Sequence, residues 1–234
     1  MNYIIWKGVK STEIKGLMIC ELPPITKPQM RVKETVIDGL DGSIIEELGY
    51  SSYDKAVKVG LYGDYNIDKV IKYFNGEGLV VFSNEPDKAY RAKICAKIDF
   101  NRLLRYRQAS VSFKVQPFKY AVYGDVYEID TATASSTIFD VVNNGFETSK
   151  PKMTIKGTGT IEIFVNGVGV FAYTFPDGEN EVVIDSEIED AYLGEVLKNR
   201  NMNGEFPILQ VGTNKIEWSG DVESIKVEPR SRWL

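Results

Sequence analysis

The sequence contains no histidine among its 234 residues. Histidine is the commonest general base and a frequent metal ligand, so its absence removes every Ser-His and Cys-His catalytic pair. The two cysteines, Cys20 and Cys95, lie far apart and match no metal-binding spacing. Apolar or small neighbours flank each of them, which predicts two buried, reduced and unpaired thiols. We therefore predict a protein without catalytic activity, metal or cofactor.

Long apolar runs are missing as well. No segment approaches the roughly 20 apolar residues that a membrane helix needs, and the first residues form no leader with a cleavage site. A Walker-type phosphate loop is also missing, and the Gly-x-Gly at residues 157–159 lies between two strand patterns with no helix after it. We interpret these glycines as a turn or bulge. The chain is expected to be made in the cytoplasm and to bind no membrane.

Positive charge is scarce in the second half of the chain. The formal net charge of −5 divides into +2 through Ser135 and −7 from Ser136 onward. Wrapping a nucleic acid requires many cationic contacts with phosphates, so an acidic half disfavours that role.

What the sequence has in abundance is the two-residue alternation of half-buried strands. In the first half, residues 31–37 and 44–48 predict a β-hairpin with a longer loop, and further strands are predicted at residues 79–82, 88–98 and 107–115. The stripe formed by Ile67, Val70, Ile71 and Phe74 predicts a short helix capped by Asn66.

The second half alternates in the same way at residues 153–156 and 160–165. Asn166-Gly167 follows, the pair that a type I′ hairpin turn favours. Residues 130–137 are small, polar and unpatterned, which indicates a linker. The fold class is therefore mainly β, with two sandwich-like domains: residues 1–132, which include one short helix, and residues 137–234.

A basic concentration surrounds the connection between the last two strands of the first domain, which we predict to be a hairpin. Two interpretations stay open: a solvated strand face, or an electrostatic contact with an acidic partner ring or a neighbouring subunit. Its members are Arg91, Lys93, Lys97, Arg102, Arg105 and Arg107.

An acidic cluster is the best candidate for a hard cation such as calcium, but it lacks the spacing of an EF-hand. A capped helical turn is the favoured interpretation, and Asp185 with Glu187 is the most plausible carboxylate pair for a glycosidase. Trp218 is predicted to lie in the core rather than on a sugar-stacking platform. The cluster consists of Asp185, Glu187, Glu189 and Asp190.

Four segments in a fixed order carry a family resemblance. Residues 89–94 and 109–120 supply an aromatic-rich strand with Pro-Phe and Tyr, and residues 143–151 and 204–218 follow in the second half. Individually these motifs are common. Their ordered succession, which spans most of the chain, resembles the distal tail proteins of long-tailed bacteriophages.

The resemblance implies a hexameric ring of N-terminal domains with peripheral, galectin-like C-terminal sandwiches, located at the tail tip of the virion. The ring would join the tail tube protein to the baseplate or tail-associated protein, and DNA would only pass through its channel. Arg102, Arg105 and Arg107 on one subunit surface, with Glu46 and Glu47 on the other, are the expected subunit interface.

The competing hypothesis is a carbohydrate-binding module that contacts a host cell-surface glycan. Because the sequence ends close to its last matching segment, no large appended carbohydrate-binding module is expected. An acidic second half is suited to keeping a ring soluble.

Overall fold

The alternating segments fold into two compact units, a first from Met1 to Val122 and a second from Tyr123 to Trp233. The computed structural model describes residues 1–39, 41–131 and 136–234. Both units are built from antiparallel strands, and each has its own apolar core. The chain is therefore mainly β, with two sandwich-like bodies, as the sequence predicts.

The first unit contains nine strands and two α-helices in the described residues. Its principal sheet has the strand order β2-β1-β7-β8-β9-β6-β3, while β4 and β5 form a separate two-stranded sheet. The elements are β1 (Ile4–Trp6), β2 (Val9–Lys10), β3 (Leu17–Glu21), β4 (Met30–Thr35), β5 (Ile44–Tyr50), β6 (Tyr53–Leu61), α1 (Ile67–Tyr73), β7 (Glu77–Phe82), β8 (Lys88–Lys93), α2 (Phe100–Tyr106) and β9 (Gln108–Ala121).

The core of the first unit forms where inward positions of neighbouring strands meet. Val57 on β6 lies opposite Val111 on β9, and both side chains are fully buried. Phe113, two residues further along β9, packs edge-to-face against Trp6 and Phe82, with ring centroids 5.2 and 5.9 Å apart. Such aromatic pairs add stability beyond the area that they bury.

Helix α1 confirms the predicted helix. The side chain of Asn66 accepts a hydrogen bond from the backbone N–H of Lys69 at 3.0 Å, which satisfies one of the free donors at the helix start. Val70 and Tyr73 are buried against the sheet.

The strands on either side of Arg102 and Arg105, β8 and β9, pair antiparallel as a hairpin would, but the connection between them contains helix α2, which the sequence interpretation does not include. The side chain of Asp99 caps it by accepting from the N–H of Arg102 at 2.9 Å, and Leu103 is buried. Arg107 ends the helix with φ 58°, a left-handed conformation that stops helical winding. The run of Arg and Leu has high helix propensity, and the cap at Asp99 specifies where the helix starts.

Over its described residues, the second unit contains ten strands and is organised around two long ones, β12 and β18. Its sheet order is β10-β18-β12-β14-β15-β16, with β11 paired to β18 and β13 paired to both β12 and β17. The strands are β10 (Tyr127–Asp130), β11 (Ile138–Asn143), β12 (Lys152–Val165), β13 (Val168–Thr174), β14 (Glu181–Asp185), β15 (Asp190–Leu193), β16 (Val196–Leu197), β17 (Met202–Gly204), β18 (Gly212–Glu228) and β19 (Arg232–Trp233).

The glycines predicted as a turn or bulge lie within β12, where the pairing register with β18 shifts. A Cβ at Gly157 would lie 2.4 Å from the carbonyl oxygen of Asp221, and a Cβ at Gly220 would lie 2.4 Å from that of Thr160. Only glycine permits so close an approach. Around this irregularity β12 changes partners, from β14 on one side to β13 on the other.

The Asn166-Gly167 hairpin is confirmed. Both residues have positive φ, 54° and 77°, and they join Val165 directly to its partner Val168. These angles are those of a type I′ turn, whose twist matches the flanking strands.

The polar run predicted as the linker is described only in part, because residues 132–135 lie outside the described residues. Strand β10, just before it, pairs with β18 and therefore belongs to the second unit. The expected domains, residues 1–132 and 137–234, remain a prediction that limited proteolysis would test.

Candidate functional site

The β4–β5 hairpin is the most exposed regular element of the first unit, and we call residues 30–50 the arm. Every described residue from Arg31 to Gly39 and from Ile44 to Gly49 is exposed. An isolated two-stranded hairpin is at best marginally stable in water, so an exposed one requires another explanation. Its exposed apolar side chains are Val32, Val36, Ile37, Ile44, Ile45 and Leu48.

The register of the arm places apolar side chains on both of its faces. Ile44 lies opposite Thr35, and Ile45 lies opposite Glu34. Successive residues of a strand point to opposite faces, so neither face is wholly polar. Contiguous exposed apolar surface commonly marks a protein–protein contact. The arm has the character of an element that packs against a further surface.

The same register separates the two predicted acidic interface residues. Glu46 lies opposite Lys33 and forms an ion pair with it at 3.5 Å, whereas Glu47 lies opposite Val32 on the other face. Glu46 is therefore already paired within the arm. Among the described residues, Glu46 forms an ion pair and Glu47 forms none.

The predicted basic residues lie on or beside helix α2. Arg102 and Arg105 are three residues apart, so they occupy one side of the helix. Together with Asp99, Asn101 and Tyr106 they line an open depression of about 440 Å³. Within the described part of the chain neither arginine forms an ion pair, and the guanidinium of Arg105 lies 5.6 Å from the ring centroid of Tyr106.

Arg107 points elsewhere. It follows the helix in its left-handed conformation, and its guanidinium lies 4.8 Å from the ring centroid of Tyr65. This cation–π contact holds Arg107 against its own chain. In the described residues, no hydrogen bond or ion pair joins the three arginines to Glu46 or Glu47. The structure thus places the predicted interface residues on two separate surfaces of the first unit, α2 and the arm.

A buried charge cluster in the same unit was missed by the sequence analysis. Lys55 has an exposed fraction of only 2%, and its ammonium lies 4.8 Å from the ring centroid of Tyr90. Glu85 accepts hydrogen bonds from Tyr90 and from Lys119, the latter at 2.7 Å. The available signal was the strand period, because Lys55 shares its face of β6 with the buried Val57 and Val59.

Burial and charge shift the pKa values within this cluster. Burial is the main cause that lowers the pKa of Lys55 below its ordinary 10.5, against the opposing attraction of Glu85. Burial alone would raise the pKa of Glu85, but hydrogen bonds from Lys119 and Tyr90 and the two lysine charges outweigh it and lower the pKa. Burial, and then the charge of Glu85, raises the pKa of Tyr53 to about 12. The cluster therefore keeps an ionised carboxylate beside neutral phenols.

The acidic cluster of the second unit is a β-hairpin turn, so the interpretation as a capped helical turn is wrong. Asp185 ends β14 and pairs with Asp190, which begins β15. Asp185 caps the turn by accepting from the N–H of Glu187 at 3.1 Å. This side-chain bond satisfies the same donor whether a turn or a helix follows, which explains the misinterpretation.

Basic side chains hold these acids. The guanidinium of Arg230 contacts both carboxylate oxygens of Asp185, at 2.6 and 2.9 Å, and Lys150 pairs with Glu189 at 3.0 Å. Burial alone would raise the pKa of Asp185, but the hydrogen bonds and charge of Arg230 lower it below the ordinary 3.8. A glycosidase acid needs a raised pKa instead. Over the described ranges, no group of three possible metal ligands occurs.

Trp218 is buried, which confirms its prediction as a core residue, and it packs edge-to-face against Phe139 at 6.1 Å. Trp6, Phe171 and Tyr173 are buried too, so they form no platform for a sugar. The prediction of two buried cysteines is wrong: Cys20 is only partly buried, and Cys95 is exposed because β8 ends at Lys93 and leaves it in a loop. Both thiols are free. None of the described helices has the length and apolarity to cross a membrane.

Fold and surface together define a class of architecture: a chain of two antiparallel β units, the first of which carries an exposed arm. More particularly, the fold is similar over its full length to the Dit protein of phage SPP1, described as a paradigm of the hub adsorption apparatus of phages that infect Gram-positive bacteria. That likeness has a TM-score of 0.74 at 14% identity and covers 100% of both chains.

Two further structures have the same fold, both from the phage P2 baseplate in its activated conformation. The structure determined with calcium has a TM-score of 0.56 at 9% identity and covers 97% of each chain. The structure determined with strontium has a TM-score of 0.50 at 10% identity and covers 90% of each chain. No protein-family model and no curated protein sequence matches the chain. At these identities the likeness establishes the fold.

Proposed function

We propose that the chain is a structural protein of a phage tail tip, without enzymatic activity, that forms a hexameric ring in the virion. The observation that carries this proposal is the likeness to the SPP1 Dit protein, which covers 100% of both chains and therefore includes both units and their order. Function does not follow from fold in general. A likeness over two consecutive units leaves fewer candidate functions than a likeness over a single common fold does.

In this proposal, the ring joins the tail tube protein to the baseplate or tail-associated protein and leaves a channel for DNA. A ring needs two different surfaces on each subunit that meet head to tail. The first unit offers two such surfaces, the arm and helix α2. The net negative charge of the second half of the chain favours the solubility of such an assembly.

Charge complementarity supports a contact between the arm of one copy and α2 of the next. Residues 30–50 contain five acidic residues against two basic ones, whereas residues 93–107 contain five basic residues against one acidic one. Opposite charges at a rim guide association and select the register, while apolar side chains supply the buried area. Ile45 and Glu47 share one face of the arm, which combines both requirements.

Electron microscopy of the purified full-length protein tests this proposal. We expect ring-shaped particles with a central channel and sixfold symmetry. A variant with the arm shortened to a tight turn serves as the control and should give no rings. Monomers with no ring in the wild-type images, under conditions where the protein is folded, would contradict the proposal.

A further inference from the structure

The segment that leads from β3 into the arm, residues 22–29, forms no strand, and we call it the arm root. Two side chains of the principal sheet region hold its backbone. The ammonium of Lys55 donates to the carbonyl of Pro24 at 2.9 Å, and the side-chain amide of Asn84 donates to the carbonyl of Pro23 at 3.0 Å. Two consecutive carbonyls of the arm root are thereby fixed to β6 and to the turn that follows β7.

Using Lys55 for this contact costs free energy, because its charged group is buried. Its side chain is almost fully buried, and its ammonium lies 5.7 Å from the ring centroids of both Tyr53 and Phe82. Burying an ammonium is costly unless it is well paired. Glu85, the carboxylate that attracts Lys55, is already bonded to Lys119 and Tyr90, so two ammonium groups share one carboxylate.

Stability alone does not explain a lysine at this position. A methionine would fill nearly the same volume among the aromatic rings without the cost of a buried charge. Replacing buried charges by apolar side chains of similar volume is often neutral or stabilising. What methionine cannot do is donate a hydrogen bond to the Pro24 carbonyl.

The two anchored carbonyls belong to prolines, whose restricted backbone helps to fix the direction of the chain that follows. The rings of Pro23 and Pro24 fix their φ angles, and Pro24 also restricts the residue before it. A backbone with so little freedom transmits the orientation of two anchored carbonyls to the residues that follow. Pro28, at the other end of the arm root, is buried, and the N–H of Ser51 donates to the carbonyl of Gln29 at 2.8 Å.

We propose that Lys55, assisted by Asn84, is a positioning residue that fixes the direction in which the arm leaves the first unit. Each copy then presents its arm in the same orientation before any partner binds. Pre-organisation of this kind lowers the entropy that an assembly must lose when it forms. The inference rests on the proposed ring only for its consequence in assembly, since the anchoring itself is a property of a single chain.

Hydrogen exchange on the full-length protein, at a concentration where it is monomeric, tests the anchoring directly. The variant is Lys55→Met, and its matched control is Lys58→Met, which removes an exposed lysine of the same strand that pairs with Glu21. We expect Lys55→Met to remain folded and to accelerate exchange at Ser51, whose N–H donates to the carbonyl of Gln29, by about tenfold or more, because the arm root loses a charge-assisted hydrogen bond. Amides in β6 and β9 should keep their protection, and Lys58→Met should change neither region.

Unchanged protection of Ser51 in Lys55→Met, or an equal change in Lys58→Met, would overturn the proposal. If Lys55→Met fails to fold, Asn84→Ala decides, since it removes the second anchor without touching the buried charges. Faster exchange at Ser51 in Asn84→Ala, with β6 and β9 unchanged, supports the anchoring, and unchanged exchange at Ser51 overturns it. Because the readout is taken on monomers, absence of a ring in the wild type would leave this result standing.

Discussion

Two hairpins of this chain have similar sequence signals and opposite surroundings. The β12–β13 hairpin buries alternate residues such as Ile161 and Ile163 in the core of the second unit. The β4–β5 hairpin, the arm, exposes nearly all of its side chains, including Ile45 at 63%. Hydrophobic alternation therefore predicts the strand but not what covers it. The difference shows that the arm carries apolar surface for which its own unit supplies no cover.

The largest effect should come from truncating the buried hairpin. Ile163→Ala leaves a cavity in the second unit, and we expect a loss of about 2–5 kcal/mol in the free energy of unfolding. Ile45→Ala in the arm should change the free energy of unfolding of the monomer by less than about 0.5 kcal/mol. Urea unfolding followed by tryptophan fluorescence measures both. Val168→Ala, an exposed position of the buried hairpin, is the control. Equal losses at Ile163 and Ile45 would remove the contrast between the hairpins.

The next effect concerns the buried charges beneath the arm root. The folded-state pKa of Glu85 lies below the ordinary 4.5, so its contribution to stability is present above about pH 4.5 and is lost as the pH falls through the folded-state pKa. Glu85→Gln should lower the free energy of unfolding at neutral pH by about 1–3 kcal/mol, since Lys119 loses its charged partner. Thermal unfolding over a series of pH values is the measurement.

The wild-type and Glu85→Gln curves should converge as the pH falls below about 4.5. Lys93→Met, which removes an exposed pair with Glu77 instead, serves as the control and should follow the wild type. A constant separation between wild type and Glu85→Gln at all pH values would show that Glu85 acts through packing rather than charge.

A smaller effect is expected from the charges of helix α2. Exposed ion pairs contribute less than about 1 kcal/mol each, but a ring repeats them at every contact. Arg102→Glu combined with Arg105→Glu should raise the concentration needed for assembly a few-fold without changing the unfolding midpoint of the monomer. Sedimentation over a concentration series measures this shift. Arg107→Glu is the control, because Arg107 packs on Tyr65 of its own chain and should matter less for assembly. A larger assembly defect in Arg107→Glu than in the double variant would contradict this prediction.

The smallest effect should come from the exposed cysteine. Cys95→Ser should change the free energy of unfolding by less than about 0.5 kcal/mol, as is usual for an exposed loop position. In the folded protein, Cys95 should react with a thiol reagent faster than Cys20. In denaturant without reductant, both thiols should react completely. Recovery of thiols only after reduction would reveal a disulfide.

Sequence reasoning predicted what depends on local pattern. The Asn166-Gly167 turn, helix α1 with its Asn66 cap, the arm as a hairpin and the burial of Trp218 all follow from periodicity and cap or turn chemistry within a few residues. Helix α2 was misassigned because the basic side chains suggested a strand face, while the Asp99 cap was overlooked. The turn at Asp185 was misassigned because an acidic cap suits a helix start and a β-turn equally.

Long-range pairings were beyond prediction. The carboxylate of Asp185 meets Arg230, and Lys55 meets the carbonyl of Pro24, only after strands distant in the sequence have come together. The same applies to Glu46 and Glu47. Because they are neighbours on a strand, Glu46 and Glu47 point to opposite faces. Only the strand register shows that Lys33, across the hairpin, forms an ion pair with Glu46.

The most direct test of the account is the mass of the particle in solution, with and without the arm. Light scattering across micromolar concentrations should give the wild type a mass about six times the 26.3 kDa of the chain, because a hexameric ring closes on itself. The variant with a shortened arm should be a folded monomer with unchanged unfolding of the second unit. A wild type that stays monomeric throughout, or an armless variant that still assembles, would contradict the claim that the arm builds the ring.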